Sequence, residues 1–403
     1  MSSLQDPMAV FTFCACVCAF IFWIADTGIG KKVFSIIPSV VFIYYLPTIA
    51  STVGFLPTVS PAYDWMRDYL LSFSIFILMM TADIPTILKI GPKALVIMLI
   101  GTAGVVIGGP MAFLIFEKWL PPDTWKGLAA LSGSWIGGGA NFAAIKESVS
   151  APDSIIGPII IVDTAVGYTW MGVLLVLSNY QRLIDKWNHA NSDVLQDIDR
   201  RLQDFQEKES KPLTLKDASI VLGIGFFVAV VCRNLALWFH GIVNPVMSAA
   251  FPQLASIFTY FTWLMIFVST LGIGLSFTGL RKIEATGASK FGYIALYLFM
   301  TSIGAKANLA GILNAPVLLL VGAVWIFIHI ACLLVGARLL KVPLFLVAIG
   351  SQANIGGAAS APIVATAYYS SMAPVGVLMG IFGYLIGNYA ALVCAFLLRL
   401  VSG

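Results

Sequence analysis

The sequence contains few charged side chains. Only 10% of its 403 residues are Asp, Glu, Lys or Arg, whereas hydrophobic residues make up 59%. A soluble domain is roughly 25% charged, so this chain has too little polar surface to cover it in water. The scarcity of charge excludes an ordinary soluble protein and indicates that lipid is the solvent.

Other absences exclude further functional classes. The net charge is only +4 and no basic stripe occurs, so nucleic-acid binding has no support. The six cysteines stand singly in apolar runs, without metal-ligand or disulfide spacing. No nucleophile elbow, phosphate loop or H-E-x-x-H motif occurs, so neither an enzyme nor an ATP-driven pump is expected. No cofactor is expected apart from Na⁺ as a candidate coupling ion.

The chain instead contains continuous apolar runs of about 20 residues, the length of a membrane helix. Barrel strands would alternate apolar and polar residues with a period of two. The pattern therefore predicts an all-α polytopic membrane protein embedded in the lipid bilayer. The twelve apolar segments lie near residues 8–25, 33–55, 69–88, 94–116, 126–148, 154–179, 218–241, 256–279, 291–308, 312–337, 342–368 and 373–398.

A polar stretch at 181–215 divides the chain into a first membrane repeat, 1–180, and a second, 216–403. Apolar residues recur at helical spacing within this stretch and predict an amphipathic helix. That helix either lies on the membrane surface or forms a solvated connector. Its apolar residues are Val194, Leu195, Ile198, Leu202 and Phe205.

The two halves resemble each other. The first contains LSGSWIGGGANFAAI at 131–145, and the second contains AIGSQANIGGAASAPIV at 348–364. Each motif follows a helix that begins after a proline, and each precedes a run with a Gly-Tyr pair. These landmarks occur in the same order in both halves and indicate a duplication.

The positive residues indicate how the halves are oriented, because they favour the cytoplasmic side of a membrane. Their clusters occupy non-equivalent loops of the two halves, which predicts inverted repeats. Six crossings per half would instead make the halves parallel, so one crossing is missing or surplus and about 11–13 segments are expected. The clusters are Lys31, Lys32, Lys89, Lys93, Arg281, Lys282, Lys290, Arg338 and Lys341.

The repeated motifs predict two interrupted helices. Each glycine of the run Gly137, Gly138 and Gly139 costs a helix about 1 kcal/mol relative to alanine. An unwound segment exposes backbone N–H and C=O groups, which must then face protein or a watery cavity. The second half repeats the pattern with Ser351, Gln352, Asn354, Gly356 and Gly357.

Interrupted helices at corresponding places in two halves are the best sequence pointer to a transport site. The alternative is close packing of small residues between helices. The predicted substrate-binding residues are Ser134, Asn141, Ser351, Gln352, Asn354 and Lys306. The predicted ion-binding residues are Asp163, Asp83, Gly137, Gly138, Gly139, Gly356 and Gly357.

Three ionisable residues within apolar runs bear on function, since such residues are costly in a membrane. Asp163 lies about nine residues into its helix, roughly mid-membrane. It is expected to bind Na⁺ or a proton, or else to be a hydrogen-bonded packing residue. Asp83 precedes Ile84-Pro85 and either caps the next turn or contributes to ion binding. Lys306 either extends to the interface or neutralises a carboxylate of the substrate.

The motifs GSWIGGGANFAAI, GSQANIGGAASAPIV, ADIPTILKIGP and LFMTSIGAKANL resemble domain-of-unknown-function family 819 of bacterial and plastid membrane proteins. The resemblance covers nearly the whole chain. It implies membership of the cation/proton antiporter and anion transporter superfamily, with inverted repeats, two crossing discontinuous helices, a core domain and a dimer-forming scaffold domain. It further implies an elevator-like transporter, and a homodimer in a bacterial plasma (inner) membrane is expected.

Three functional hypotheses follow from the sequence. The leading one is an ion-coupled (Na⁺ or H⁺) secondary transporter of a small organic, anionic solute. The second is a monovalent cation/proton antiporter that uses Asp163, although Val162 and Thr164 flank this residue where such antiporters often have a second acid. The third is a membrane receptor or scaffold that transports nothing.

Overall fold

The structure is a computed structural model that describes residues 4–34, 39–190, 211–251, 255, 258–306, 315–369 and 372–402. These residues are almost entirely helical, and no strand occurs among them. The amphipathic helix predicted within 181–215 falls mostly on residues outside the described ranges. A helix occurs in each of the twelve apolar segments, which confirms the prediction of an all-α polytopic protein.

Up to residue 190 the chain contains four short helices, α2, α4, α6 and α10, besides the helices of the six apolar segments. The helix α4 continues through a π-helical segment, Met66–Leu71, directly into α5. The first ten helices are α1 Pro7–Ala25, α2 Gly28–Phe34, α3 Ser39–Thr52, α4 Pro61–Trp65, α5 Ser72–Met80, α6 Ile84–Lys89, α7 Pro92–Phe116, α8 Thr124–Ser148, α9 Asp153–Leu177 and α10 Gln181–Asn188.

Seven helices follow in the described part of the second half. They are α11 Leu215–Ala250, α12 Tyr260–Ser276, α13 Ala288–Lys306, α14 Ala315–Leu340, α15 Leu344–Ile355, α16 Gly357–Tyr368 and α17 Ala373–Val401. By length and composition, six described helices can cross a membrane. A seventh qualifies if α12 and the 3₁₀ segment Gly279–Thr286, bent by 91°, count as one span.

The helix α8 is interrupted and folds back on itself. Gly137 and Gly138 leave the helical conformation, with Gly138 at φ 71°. A Cβ atom placed on Gly133 would lie 2.7 Å from the backbone oxygen of Asn141. Residues eight apart in a straight helix are separated by about 12 Å. The two arms of α8 therefore form a re-entrant hairpin with its tip at Gly137–Gly138, called here the first hairpin.

The helices α15 and α16 form a second hairpin. The chain reverses at Gly356 and Gly357, the latter at φ 62°. At the open end of the hairpin the rings of Phe345 and Tyr369 are in contact, with centroids 5.2 Å apart. The predicted interruptions are therefore present, but neither interrupted helix continues across the bundle, because a left-handed glycine at each tip reverses the chain.

The two hairpins enter the bundle from opposite ends. The first arm of α8 runs alongside α9 in the same direction, since Gly127 lies against Ile155 and Ser134 bonds Asp163. The first hairpin therefore opens beside the start of α9, which we call the Asp153 end. The second hairpin opens beside the other end of α9, because Tyr368 donates to the Leu174 carbonyl at 2.9 Å.

We call this opposite end the Lys290 end. The helix α13 has Lys290 near its start at this end, and it ends at Lys306, which lies beside Asp153 at the other end. A hairpin returns the chain to the side from which it entered. The predicted segments 126–148 and 342–368, which form the two hairpins, therefore do not run from one end of the bundle to the other.

Both hairpins pack against one glycine face of α17. Gly376, Gly380, Gly383 and Gly387 are spaced to lie along one side of that helix. A Cβ on Gly376 would lie 2.7 Å from the Ala361 backbone of the second hairpin. A Cβ on Gly387 would collide with Asn141 of the first. Glycines at these positions let α17 approach the backbone of both hairpins.

Gly383→Ala tests this packing. Its Cβ would lie 2.5 Å from the Ile136 oxygen of the first hairpin and 3.4 Å from the Ala353 oxygen of the second. We expect overpacking to lower stability by about 1–3 kcal/mol, measured by thermal melting in detergent. The matched control is Gly223→Ala in α11, where nothing lies within 4 Å. Equal melting of Gly383→Ala and the unmodified protein would contradict the packing.

Candidate functional site

A cavity of about 860 Å³ lies between the two hairpin tips, α9 and α13. Its volume falls in the range of small-molecule sites, roughly 300–1,000 Å³. The first hairpin contributes Ser134 and the glycines 137–139 to the lining of the cavity. The second hairpin contributes Gln352, Gly356, Ala358 and Ser360. The facing wall comes from α9, α13 and α17 and includes Asp163, Tyr168, Tyr293, Tyr297 and Tyr384.

Tyr384 lies against both hairpin tips. A Cβ on Gly138 would lie 2.9 Å from Cε1 of Tyr384, and a Cβ on Gly357 would lie 3.1 Å from the same atom. Both glycines have positive φ, a conformation that glycine adopts without steric cost. The tips are therefore fixed against one ring, and a side chain at either tip would meet that ring.

Asp163 is a carboxylate in the cavity wall, and its hydrogen-bond partners within the described ranges are neutral. Its Oδ2 accepts a hydrogen bond from the Ser134 hydroxyl at 2.6 Å, and its Oδ1 accepts one from the Trp135 indole at 2.9 Å. Among the described residues no Lys, Arg or His forms an ion pair with it. A charge within a membrane is costly unless it is paired, so Asp163 suits a proton or a bound cation.

Two amide side chains at the hairpins retain an unused acceptor. The Asn141 amide donates to the carbonyls of Gly137, at 2.7 Å, and Tyr384, at 3.1 Å, which ties the first tip to α17. The Gln352 amide donates to the Ser360 hydroxyl at 2.7 Å across the second hairpin. The oxygens Oδ1 of Asn141 and Oε1 of Gln352 are buried and accept no hydrogen bond from any residue that the structure describes. Gln352 lines the cavity, so its oxygen can accept from a ligand or contact a cation.

Asn354 is part of the second hairpin, but its side chain points away from the cavity toward α7. Its amide donates to the carbonyls of Met98 and Gly350, each at 3.0 Å. Its oxygen accepts from the Thr102 hydroxyl at 2.8 Å. These three bonds fasten α15 to α7 and leave the predicted substrate-binding side chain fully occupied.

Ser351 also faces away from the cavity. Its hydroxyl oxygen accepts from the Trp170 indole at 2.8 Å and lies 2.9 Å from Nε2 of His329. The other ring nitrogen of His329 lies 2.9 Å from the Gly101 carbonyl. Ser351 therefore links α15 to α9 and α14, and the buried histidine has hydrogen-bonding partners on both sides.

Two other predicted residues are paired outside the cavity wall. Lys306 lies at the Asp153 end, with Nζ 4.0 Å from Asp153 Oδ2. Asp83 lies before α6, with Oδ1 3.3 Å from an Arg281 nitrogen. Its side chain makes no capping hydrogen bond to α6. Of the predicted polar side chains, the cavity brings together Ser134, Asp163 and Gln352, with Asn141 supporting one tip.

The sequence reasoning missed several residues of the site. Trp135 donates directly to Asp163, and Tyr384 contacts both tips. Tyr384 belongs to one of the two Gly-Tyr pairs that indicated the duplication, so the sequence contained a signal for this residue. Tyr293 and Tyr297 carry no motif, and only the fold places them in the wall. No group of three or more His, Cys, Asp or Glu able to hold a metal occurs among the described residues.

The fold and cavity define a polytopic α-helical membrane protein with two re-entrant hairpins around an internal cavity. The chain belongs to the DUF819 family, described as a protein of unknown function, whose model matches residues 12–401. It is also similar to the uncharacterized membrane protein YjcL of Bacillus subtilis (strain 168), with 28% identity over 351 residues, 84% of each chain. The predicted family is therefore confirmed.

Asp163→Asn and Asp153→Asn should affect stability differently. Asparagine at 163 removes a buried charge that has no cation partner, and it can still accept from Trp135. We expect it to melt at or above the unmodified protein. Asparagine at 153 weakens the 2.7 Å ion pair with Lys146, whose side chain is only 4% exposed. We expect a loss of about 1–3 kcal/mol by denaturant unfolding. The reverse order would show that Asp163 is the structural carboxylate.

Proposed function

We propose that the protein is an ion-coupled secondary transporter in which Asp163 carries the coupling ion, Na⁺ or H⁺, while the cavity holds a small organic solute. The observation that carries this proposal is an uncompensated carboxylate in a cavity bounded by two opposed hairpin tips. A purely structural carboxylate inside a membrane would be expected to have a cation partner. A receptor or scaffold has no need of a carboxylate held ready for an ion.

The proposal includes inverted repeats, as in the cation/proton antiporter and anion transporter superfamily. In order, α7, the first hairpin and α9 correspond to α14, the second hairpin and α17. The first set has its hairpin at the Asp153 end and the second at the Lys290 end. Opposite entry of the hairpins is the relation expected for an axis in the membrane plane.

Two groups of helices provide the parts of an elevator-like mechanism. The helices α7–α9 and α14–α17 carry both hairpins and form the hairpin group. The helices α1–α5 and α11–α13 form the support group, in which the Thr48 hydroxyl donates to the Gly304 carbonyl at 2.8 Å. The cavity lies between the groups, since α13 supplies its facing wall. We propose that the hairpin group moves relative to the support group and carries the site with it.

Asp163 supplies the coupling in this mechanism. Moving an unpaired carboxylate through the membrane interior costs several kcal/mol by transfer arguments. Protonation or Na⁺ binding removes most of that cost, so the site moves readily only when the coupling ion is bound. The donors from Ser134 and Trp135 keep the carboxylate facing the cavity in either state.

We propose that the solute is anionic. Lys306 does not support this proposal, because it pairs with Asp153 beyond the cavity, but the start of α16 does. Gly356 and Ala358 line the cavity at the start of α16, where backbone N–H groups lack helical partners. Partial positive charge at a helix start favours an anion. Lys290 lies in the lining toward the mouth and adds a positive charge there.

A monovalent cation/proton antiporter is the second candidate, and the same carboxylate favours it. The two functions differ in whether solute binds together with the ion. An antiporter predicts proton movement across vesicles on addition of Na⁺ or K⁺ alone, and its loss in Asp163→Asn. A dye-reported proton flux that persists in this variant would exclude Asp163 as the carrier.

A thermal-shift screen across ions and solute classes, followed by uptake into proteoliposomes, tests the leading proposal. We expect a solute whose stabilising effect and uptake depend on Na⁺ or on a pH gradient. Asp163→Asn should abolish the ion dependence, and Asn141→Ala should abolish uptake by releasing the first tip. Asp64→Asn is the control, because Asp64 is 67% exposed and distant from the cavity lining.

Full ion-dependent uptake by Asp163→Asn would contradict the coupling role. Absence of any ligand effect, with no ion or solute flux, would favour a receptor or scaffold instead.

A further inference from the structure

The positive residues identify the cytoplasmic end of the bundle. Lys31 and Lys32 follow α1, Lys290 begins α13, and Arg338 ends α14, all at the Lys290 end. The other loop clusters of positive residues named in the sequence also fall there, because α6 to α7, α12 to α13 and α14 to α15 connect at this end. The Asp153 end also carries positive residues, among them Lys118, Lys126 and Lys306, but the Lys290 end carries more. Positive residues favour the cytoplasmic side, so we assign the Lys290 end to the cytoplasm.

The cavity reaches this end only. Its lining includes Phe22, Ser39 and Lys290, which lie where α1 ends and where α3 and α13 begin. Toward the Asp153 end the lining stops at Ile160 and Met300. These residues are seven and six positions from Asp153 and Lys306, so a barrier about 10 Å thick remains.

The barrier consists of contacts between the hairpin group and the support group. Tyr44 and Tyr45 of α3 lie against Gly157 of α9, since a Cβ on Gly157 would be in van der Waals contact with both hydroxyls, at 3.5 and 3.8 Å. The Tyr45 hydroxyl donates to the Gly157 carbonyl of α9 at 3.0 Å. Within the support group, α13 packs closely on α3 at this level, because a Cβ on Gly304 of α13 would collide with the Tyr44 backbone.

An ion pair spans the two groups at the outer edge of this barrier. Asp153 of α9 is held within the hairpin group by Lys146, at 2.7 Å, and presents its second oxygen to Lys306 of α13 at 4.0 Å. The Lys146 side chain is 4% exposed, whereas that of Lys306 is 20% exposed. The Lys146–Asp153 ion pair within the hairpin group is thus short and buried, whereas the Lys306–Asp153 ion pair between the groups is long and partly exposed.

We propose that Lys306–Asp153 and Tyr45–Gly157 form an outer gate that closes the cavity to the extracytoplasmic side in this inward-open state. The proposal rests on the proposed function, because a gate is needed only where access alternates. A partly exposed pair gains little net energy, so it separates and re-forms readily as the groups move. The Lys146 bond stays within one group and keeps Asp153 in place throughout.

The test introduces Ile160→Cys into the full chain with its six native cysteines replaced, and measures labelling by a membrane-impermeant maleimide. Right-side-out vesicles expose the Asp153 end and inside-out vesicles expose the Lys290 end. We expect rapid labelling from the Lys290 end alone. Adding Lys306→Gln and Tyr45→Phe should raise labelling from the Asp153 end several-fold.

Two controls separate gating from general damage. Lys306→Arg retains the ion pair, and Lys290→Gln removes a lysine from the other end of the same helix, so neither should raise labelling from the Asp153 end. Each single gate variant is also tested, so that one folded variant suffices if the double variant is unstable. Unchanged outside labelling in a folded gate variant, or labelling of the parent from the Asp153 end, would overturn the gate.

The labelling needs no solute and is therefore independent of the uptake measurements. A labelling pattern as expected together with no ion or solute flux would refute the proposed function and leave the barrier established. Normal coupled uptake with no effect of the gate variants would refute the gate alone.

Discussion

The structure depends on how the backbone at two hairpin tips is satisfied inside a membrane. Lipid offers no hydrogen-bond partner, so each reversal of the chain must rest on protein or on a watery cavity. The glycine face of α17 provides the protein side, and the Asn141 amide closes the first tip onto Gly137 and Tyr384. The remaining side of each tip faces the cavity. The cavity is thus the space that these two reversals leave between them.

In the proposed function, the position of Asp163 beside this space makes the site sensitive to ions. The carboxylate is oriented by Ser134 at the end of the first arm, directly before the reversal, and by Trp135. Any shift of the tip therefore changes the donors around Asp163. Conversely, the charge on Asp163 changes the energy of the tip. Proximity between one carboxylate and one hinge-like reversal is sufficient to link ion binding to movement, as the proposed function requires.

Much of the fold was predictable from composition and period. The apolar runs predicted the helices, and the repeated glycine motifs predicted both interruptions. The direction of the chain after Gly138 and Gly357 was not predictable, because it depends on positive φ angles and on the glycine face of a helix far along the chain. The sequence therefore counted each hairpin as one membrane crossing.

The site was predicted unevenly for a related reason. Ser134, Asp163 and Gln352 line the cavity, but Asn354 and Ser351 of the same motif bond to α7 and α14 behind it. A motif indicates which residues are polar in an apolar segment, whereas the rotation of α15 decides which of them face the ligand. Lys306 was one of the predicted substrate-binding residues, yet the packing of α13 places it beside Asp153, beyond the cavity.

Infrared difference spectroscopy of the carboxyl bands tests the central claim most directly, because it observes the side chain itself without any known solute. Spectra are recorded on lowering the pH and on adding Na⁺, for the unmodified protein and for Asp163→Asn. The account predicts a carboxyl or carboxylate band that changes with one of these ions and is missing in Asp163→Asn. Identical difference spectra for the two proteins would contradict a role for Asp163 as the ion carrier.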